Sequence, residues 1–359
     1  MKLVMRFSAI FIFFSFLVGQ SFWGNEFPEP RIEYSPRTYV CYKADSPVVI
    51  DGKLDDIAWE RSDWTESFVD IEGDLKPKPF FDTKAKMLWD DNYFYFGVEM
   101  EEPHIWATLK ERDAVIYYDN DFEIFLDPDG DTHNYYELEV NAYETEWDLI
   151  LLAPYHDHDK VALDSWDIPG LLTKVNIDGT LNDPSDMDKG WSVEIAIPWK
   201  AFYNNYRSNE SPKDGEQWKV NFSRVQWDVD IIEGKYVKTD NPEFNWVWSP
   251  QGHIYMHFPH FWGLVQFTEK APGGQVEFVD LGIDRIKWAL RQVYIRQRNY
   301  YFKNERYTAS IKELNLMTTP VEGVPWPPNI VITPSGWEAE LGWNGSSVII
   351  RKDGKVWVK

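Results

Sequence analysis

Alternation governs the middle of the chain. In residues 93–100 (YFYFGVEM), Phe94, Phe96, Val98 and Met100 fall on one side, the two-residue period of a half-buried strand. Thr83, Ala85, Met87 and Trp89 alternate in the same way just before, and Asp90-Asp91-Asn92 reads as the turn between them. The device returns in DFEIFLDP (Phe122, Ile124, Leu126), in YYELEVNAY (Tyr136, Leu138, Val140, Ala142) and in GWSVEIAIPW (Trp191, Val193, Ile195, Ile197). Further strands are expected over 218–227 and 262–267, and a strand, an Asp51-Gly52 turn and a short helical piece over 48–59. Short strands in succession, without helices between them, predict a mainly β fold: an antiparallel β-sandwich of immunoglobulin-like or jelly-roll type. No period of 20–50 residues recurs, which excludes a solenoid or propeller.

After Phe267 the period changes. APGGQ reads as a linker, and Ile283, Ile286, Leu290, Val293 and Tyr300 then keep helical spacing. Short strands follow to the end, with Asp353-Gly354 as a hairpin signal. At the other end, Lys2 and Arg6 precede an apolar stretch, Phe7 to Gly19, shorter than the ~20 residues that cross a membrane as a helix. It reads as a secretory leader cut near Gln20 or Gly24. The expected organisation is a signal peptide at 1–24, a sandwich at 25–268 and a smaller C-terminal α+β appendage at 269–359. The mature protein is expected to be secreted or periplasmic and not membrane-spanning.

Charge narrows the partners. The 359 residues carry 36 Lys+Arg against 59 Asp+Glu, a formal charge of −23, which argues against a nucleic-acid partner because phosphate contacts need Lys and Arg. The single cysteine, Cys41, excludes an intrachain disulfide. Aromatic residues make up 17% of the chain, more than a core needs, so some are expected at the surface as contact platforms.

No Gly-rich phosphate loop, HExxH or GxSxG is present. His253, His257 and His260 lie in a strand-like segment where only the first two share a face, and packed or surface roles are expected for them. Asp127, Asp129 and Asp131 (DPDGD) open like a calcium loop, although Thr132 stands where an EF-hand has Gly and Leu138 where it has Glu. A structural Ca²⁺ ion is the cofactor this spacing suggests. A pyranose offers an apolar face that stacks on a ring and hydroxyls that need planar polar partners. Tyr135, Glu137, Glu139, Asn141 and Tyr143 interleave the two kinds on one strand face, and Arg224, Gln226 and Trp227 close another. A carboxylate pair performing glycoside hydrolysis stays open as an alternative, since 59 acids supply many pairs.

The order VVIDGKLDDIAW, AKMLWDDNYFYFGVEM, NDFEIFLDP, GWSVEIAIPW, FPHFWGLVQF resembles family 9 carbohydrate-binding modules, a DOMON-like β-sandwich group. The resemblance covers residues 48–267. It implies binding of a polysaccharide or oligosaccharide without cleavage, often with structural calcium, in support of polysaccharide catabolism and beside a partner glycoside hydrolase. By position, Tyr117 matches an indole of the family and Asn141 its binding Asn, while Glu139 stands where an Arg is expected. Met256 replaces a second indole, with Tyr255 and Trp248 nearby. The candidate ligand-binding residues are therefore Tyr117, Asn141, Glu139, Arg224, Gln226, Trp227, Trp248 and Tyr255. A relative of the group carries haem between Met and His, and Met100, Met256 and His257 make that a third reading, an electron-transfer domain.

Overall fold

The computed structural model describes residues 27–359 apart from 28, 158–159 and 206–209, so the expected signal peptide lies outside the described residues. The strands are β1 (Thr38–Lys43), β2 (Val69–Asp70), β3 (Thr83–Trp89), β4 (Tyr93–Glu101), β5 (Asp121–Asp127), β6 (Tyr135–Asn141), β7 (Glu146–Leu151), β8 (Ala162–Leu163), β9 (Leu172–Asp178), β10 (Gly190–Pro198), β11 (Gln217–Gln226), β12 (Val229–Ile232), β13 (Lys235–Lys238), β14 (Phe244–Val247) and β15 (Gly263–Thr268). Helix α1 is Ile57–Glu60 and α2 is Ile283–Asn304; β16 to β19 follow at Asn329–Thr333, Gly336–Trp343, Ser346–Arg351 and Val356–Val358. The fold is mainly β, and each alternating run read from the sequence becomes a strand.

One sheet runs β8-β7-β6-β5-β11-β15-β1-β3-β4-β10-β9, with β14 attached along β11 and β2 along β14. It curls until its two halves face each other. Phe96 of β4 meets Phe222 of β11 edge-on at 5.9 Å, and Phe94 meets Trp218 at 6.0 Å. The apolar sides of β5 and β6 close the same core. Two details differ from expectation. β1 pairs in parallel with both β15 and β3, so the first strand is inserted as a seam in an otherwise antiparallel sheet. Residues 48–50 form no strand: the adjoining Asp51 and Gly52 N–H groups donate to the Glu194 carboxylate at 2.8 Å, and that carboxylate also accepts from Trp59 Nε1.

The aromatic excess also has a different destination. No tryptophan among the described residues is fully exposed, and Trp89, Trp218, Trp246, Trp248 and Trp262 are wholly buried. Most rings are core, filling the wide gap between the curled halves.

The C-terminal segment builds a second core. Ile286, Leu290 and Val293, three of the predicted stripe, pack with the sheet β16-β17-β18-β19 and also with Phe27, Phe258 and Phe261. Fully burying each such side chain stabilises by ~1.5–3 kcal/mol. Between α2 and the sandwich lies a buried ion pair. Both nitrogens at the end of Arg291 donate to Asp157 at 3.0 Å, and Tyr294 donates to the same carboxylate at 2.6 Å. Burial alone would raise the Asp157 carboxyl; Arg291, with Arg298 behind it, overrides that and holds it well below the usual range. Asp157→Ala leaves Arg291 buried and unpaired, and we expect chemical denaturation to show a loss of ~3–5 kcal/mol. A depressed carboxyl stabilises above its unfolded pKa of ~3.9 and loses that contribution as pH falls. Wild type should therefore lose stability below about pH 4 more steeply than Asp157→Ala does.

Candidate functional site

β5 and β6 bury one side chain set in the core and turn the other outward. Inward are Phe122, Ile124 and Leu126 against Tyr136, Leu138 and Val140; outward are Asp121, Glu123 and Phe125 against Glu137, Glu139 and Asn141. The register sets Glu123 directly opposite Glu139 and Phe125 opposite Glu137. On β7, Trp147 pairs with Glu139. Of these, Glu123, Phe125, Glu137 and Glu139, with Trp147, floor a cleft of about 480 Å³. Tyr117 and Tyr118 form one wall, Tyr155 and the segment Ile254–His257 another, and Glu243, just before β14, and Asn245 of β14 complete it.

The walls are held from behind. Tyr117 N–H donates to Glu139 Oε2 at 3.0 Å, and Trp227 Nε1 donates to the Tyr117 carbonyl at 2.9 Å. Tyr155 meets the His257 ring edge-on at 4.6 Å. His257, pushed down to about 3 by burial, is neutral, and shares a 2.9 Å hydrogen bond with the Tyr135 hydroxyl. Tyr255 accepts the His156 N–H at 3.1 Å through its hydroxyl.

Among the described residues neither Lys nor Arg lines the cleft. Burial, with the Glu243 charge, pushes Glu123 up to about 7. Burial also raises Glu137, where Glu123 adds to it, and Glu139, where Glu123, Asp121 and Glu137 add to it. Among the described residues, two polar atoms of the cleft are buried without a hydrogen-bond partner: Glu137 Oε2, an acceptor 4.0 Å from the neutral His257 Nε2, and Trp147 Nε1, a donor. A buried polar group left unmatched costs ~1–3 kcal/mol, so both atoms favour a ligand that answers them.

A model of the carbohydrate family 9 binding domain-like group matches residues 50–241. The chain belongs to this family. Exoglucanase XynX of Acetivibrio thermocellus is 28% identical over 153 residues, 43% of this chain and 12% of that protein. Endo-1,4-beta-xylanase A of Thermoanaerobacterium saccharolyticum is 26% identical over 153 residues, 43% of this chain and 11% of its own length. The match thus spans about an eighth or less of these curated relatives. Among solved structures, a family 9 carbohydrate binding module from Caldicellulosiruptor kristjanssonii in complex with cellotriose is 18% identical, covering 68% of this chain and all of that one at a TM-score of 0.41. The same module in complex with glucose gives 18% and 0.41 over 66% of this chain.

Within this family 9 domain the residues expected from sequence separate into two groups. Tyr117, Glu139 and Tyr255 meet in the cleft, and Trp227 buttresses it. Asn141 does not reach it: its Nδ2 donates to the Leu109 carbonyl and Asp119, and its Oδ1 accepts from Tyr143 and Thr145 N–H. Arg224 shares strand parity with Val220 and Phe222, so it points to the sandwich interior, where it binds Glu102, Thr83 and Gln226. That pairing also removes Gln226 from the cleft. Trp248 lies in the core with its indole N–H on Glu66. Glu123, Trp147, Tyr118 and Tyr155 were missed; the alternation of DFEIFLDP marks Glu123 as outward, but only the register shows that it faces Glu139.

The calcium residues lie elsewhere, in the β5–β6 turn. Asp127 accepts from Gly130 N–H (3.1 Å) and Thr132 N–H (2.9 Å), and Asp131 from His133 N–H (2.8 Å). Lys355 meets Asp131 at 2.5 Å and Lys287 donates to the Gly130 carbonyl at 2.8 Å. Ca²⁺ takes six to eight oxygens, and here it would compete with Lys355 for Asp131. Asp127, Asp129 and Asp131 offer oxygens within 4.8 Å of one another, and the Lys355 and Lys287 ammonium groups bring positive charge to the same loop. Chelation should accordingly leave the melting temperature unchanged, while Lys355→Ala should lower it; a drop on chelation would return the loop to a metal.

The cleft carboxyls predict the opposite pH slope from Asp157. A raised carboxyl stabilises the fold below its unfolded pKa of ~4.3, and the contribution is lost as pH rises through the folded value, about 7 for Glu123. Asp121, Glu137, Glu139 and Glu243 face it and are acidic, and His257 is neutral, so nothing positive reverses the sign. Free of ligand, Glu123→Gln should match wild type near pH 4 and melt at a higher temperature near pH 8. A constant offset across that range would assign Glu123 no such role.

Proposed function

We propose that this is a non-catalytic carbohydrate-binding protein whose outer cleft holds a short glycan. The observation that carries the reading is the cleft floor itself. Planar carboxyl acceptors stand between aromatic walls, with one donor and one acceptor left unanswered. Rings stack on the apolar face of a pyranose while acceptors take its hydroxyls. A hydrolase arrangement is less well supported. Glycosidases set two carboxyls on opposite sides of the scissile bond with one of them ionised. Here Asp121, Glu123 and Glu139 offer oxygens within 4.8 Å of one another on adjacent strands, and all are pushed toward the protonated form. The haem reading finds little support: Met100 is in the sandwich core, while Met256 and His257 line the outer cleft.

The apolar N-terminal stretch supports export, and no helix of the described residues is long and apolar enough to cross a membrane. Likeness to part of an exoglucanase and a xylanase supports work beside polysaccharide-degrading enzymes. A glycan array, with reducing-end assays on each hit, tests the proposal. Tyr117→Ala should weaken binding roughly tenfold, from ring stacking worth ~0.5–1.5 kcal/mol and the loss of a positioned wall. New reducing ends that vanish in Glu123→Gln would replace this reading by the hydrolase.

A further inference from the structure

Three groups of acids gather among the described residues, and they differ in what answers their charge. Asp113, Asp148 and Asp167 close around Arg112. Asp127 and Asp131 turn a loop met by Lys287 and Lys355. Asp121, Glu123 and Glu139 have no such partner, although all three are at least nine-tenths buried.

That third group continues into the cleft through Glu137, whose Oε2 is buried without a hydrogen bond. The group is therefore an uncompensated acidic floor, open to solvent through an aromatic-walled mouth. An isolated carboxylate taken out of water is costly unless it is paired. The other two groups meet that demand with Arg112 and with Lys287 and Lys355. Here no Lys or Arg of the described residues does, and the carboxyls are pushed toward the protonated form. A cationic ligand would supply the missing countercharge. Tyr117, Trp147 and Tyr155 stand around the floor, and aromatic faces attract an ammonium as well as stacking on a sugar.

We propose that the cleft prefers a glycan bearing a protonated amine, a 2-amino-2-deoxy sugar, with the ammonium on Glu137 and Glu139 and the ring against the aromatic wall. The proposal rests on the carbohydrate reading above and narrows it. A uronate would add a further carboxylate to a cleft that no Lys or Arg of the described residues lines. An N-acetylated sugar would replace the three ammonium donors by one amide and add bulk.

Three disaccharides with one β-1,4-linked ring skeleton separate the cases: cellobiose, the glucosamine disaccharide and its di-N-acetyl form. Each is titrated calorimetrically into the full chain at near-neutral pH with a chelator present. Charge-assisted hydrogen bonds in a buried site should make the glucosamine disaccharide roughly tenfold tighter or more than cellobiose, with the N-acetylated sugar weakest. Glu137→Gln and Glu139→Gln should each bring that ratio toward one, with melting curves showing that both variants fold. Equal affinity for cellobiose and the amino sugar overturns the proposal and leaves the carbohydrate reading standing. Binding of none of the three, when the array also finds no glycan, removes both. Ethylammonium binding as tightly as the amino sugar would overturn it too, since the sugar ring would then contribute nothing. A preference that appears only when Ca²⁺ replaces the chelator would hand the countercharge to a metal.

Discussion

A slip of Tyr135–Asn141 by one residue against Asp121–Asp127 would turn Glu137 and Glu139 into the sandwich core and bring Tyr136, Leu138 and Val140 out. The register of this strand pair is the constraint on which the remaining structure depends. It is pinned from the inside by Phe122, Ile124 and Leu126 meeting Tyr136, Leu138 and Val140. Each such side chain contributes a few kcal/mol by burial. The inner contacts therefore hold together an outer face whose carboxylates repel one another. Like charges opposite each other on a sheet destabilise it, and Glu123 opposite Glu139 persists because the core on the reverse side outweighs that cost.

Loops then decide that the outer face is a site and not an ordinary acidic surface. The Ile116–Tyr118 turn and the Ile254–His257 segment rise over β5 and β6, removing water from the glutamates while keeping a mouth open. Burial raises their proton affinity more than the hydrogen bonds from Ser223, Glu139 and the Tyr117 N–H lower it, and among the described residues no lining Lys or Arg opposes the rise. Trp227 and Glu139 hold Tyr117 through its backbone, leaving the ring free to act as a wall.

The C-terminal segment completes the body chemically as well as sterically. α2 sends Arg291 and Arg298 to Asp157 and Lys287 to the Gly130 carbonyl, while Asp284 meets Lys219 of β11 at 3.3 Å. The basic side chains of α2 thus have specific acidic and carbonyl partners on the sandwich. Apolar burial of Ile286, Leu290 and Val293 supplies most of the attachment, and the ion pairs orient it.

Strand positions were legible because alternation of two is a local property: a residue's face is set by its neighbours at ±2. The ordered motifs carried the family, and Tyr117, Glu139 and Tyr255 were found as cleft residues. Asn141, Arg224, Gln226 and Trp248 were not separable from them by type. Arg224 looks like a ligand-binding arginine until strand parity and its pairing with Glu102 are seen. The calcium-like spacing of Asp127, Asp129 and Asp131 said nothing of Lys355, more than two hundred residues away in the chain, arriving at Asp131. Nor could the aromatic content say which rings were core. The sequence alone thus determined the strands, the helix and the family, because those rest on local periodicity and motif order. Which carboxylates keep a cation and which lack one was decided only in three dimensions, because charge compensation depends on long-range proximity.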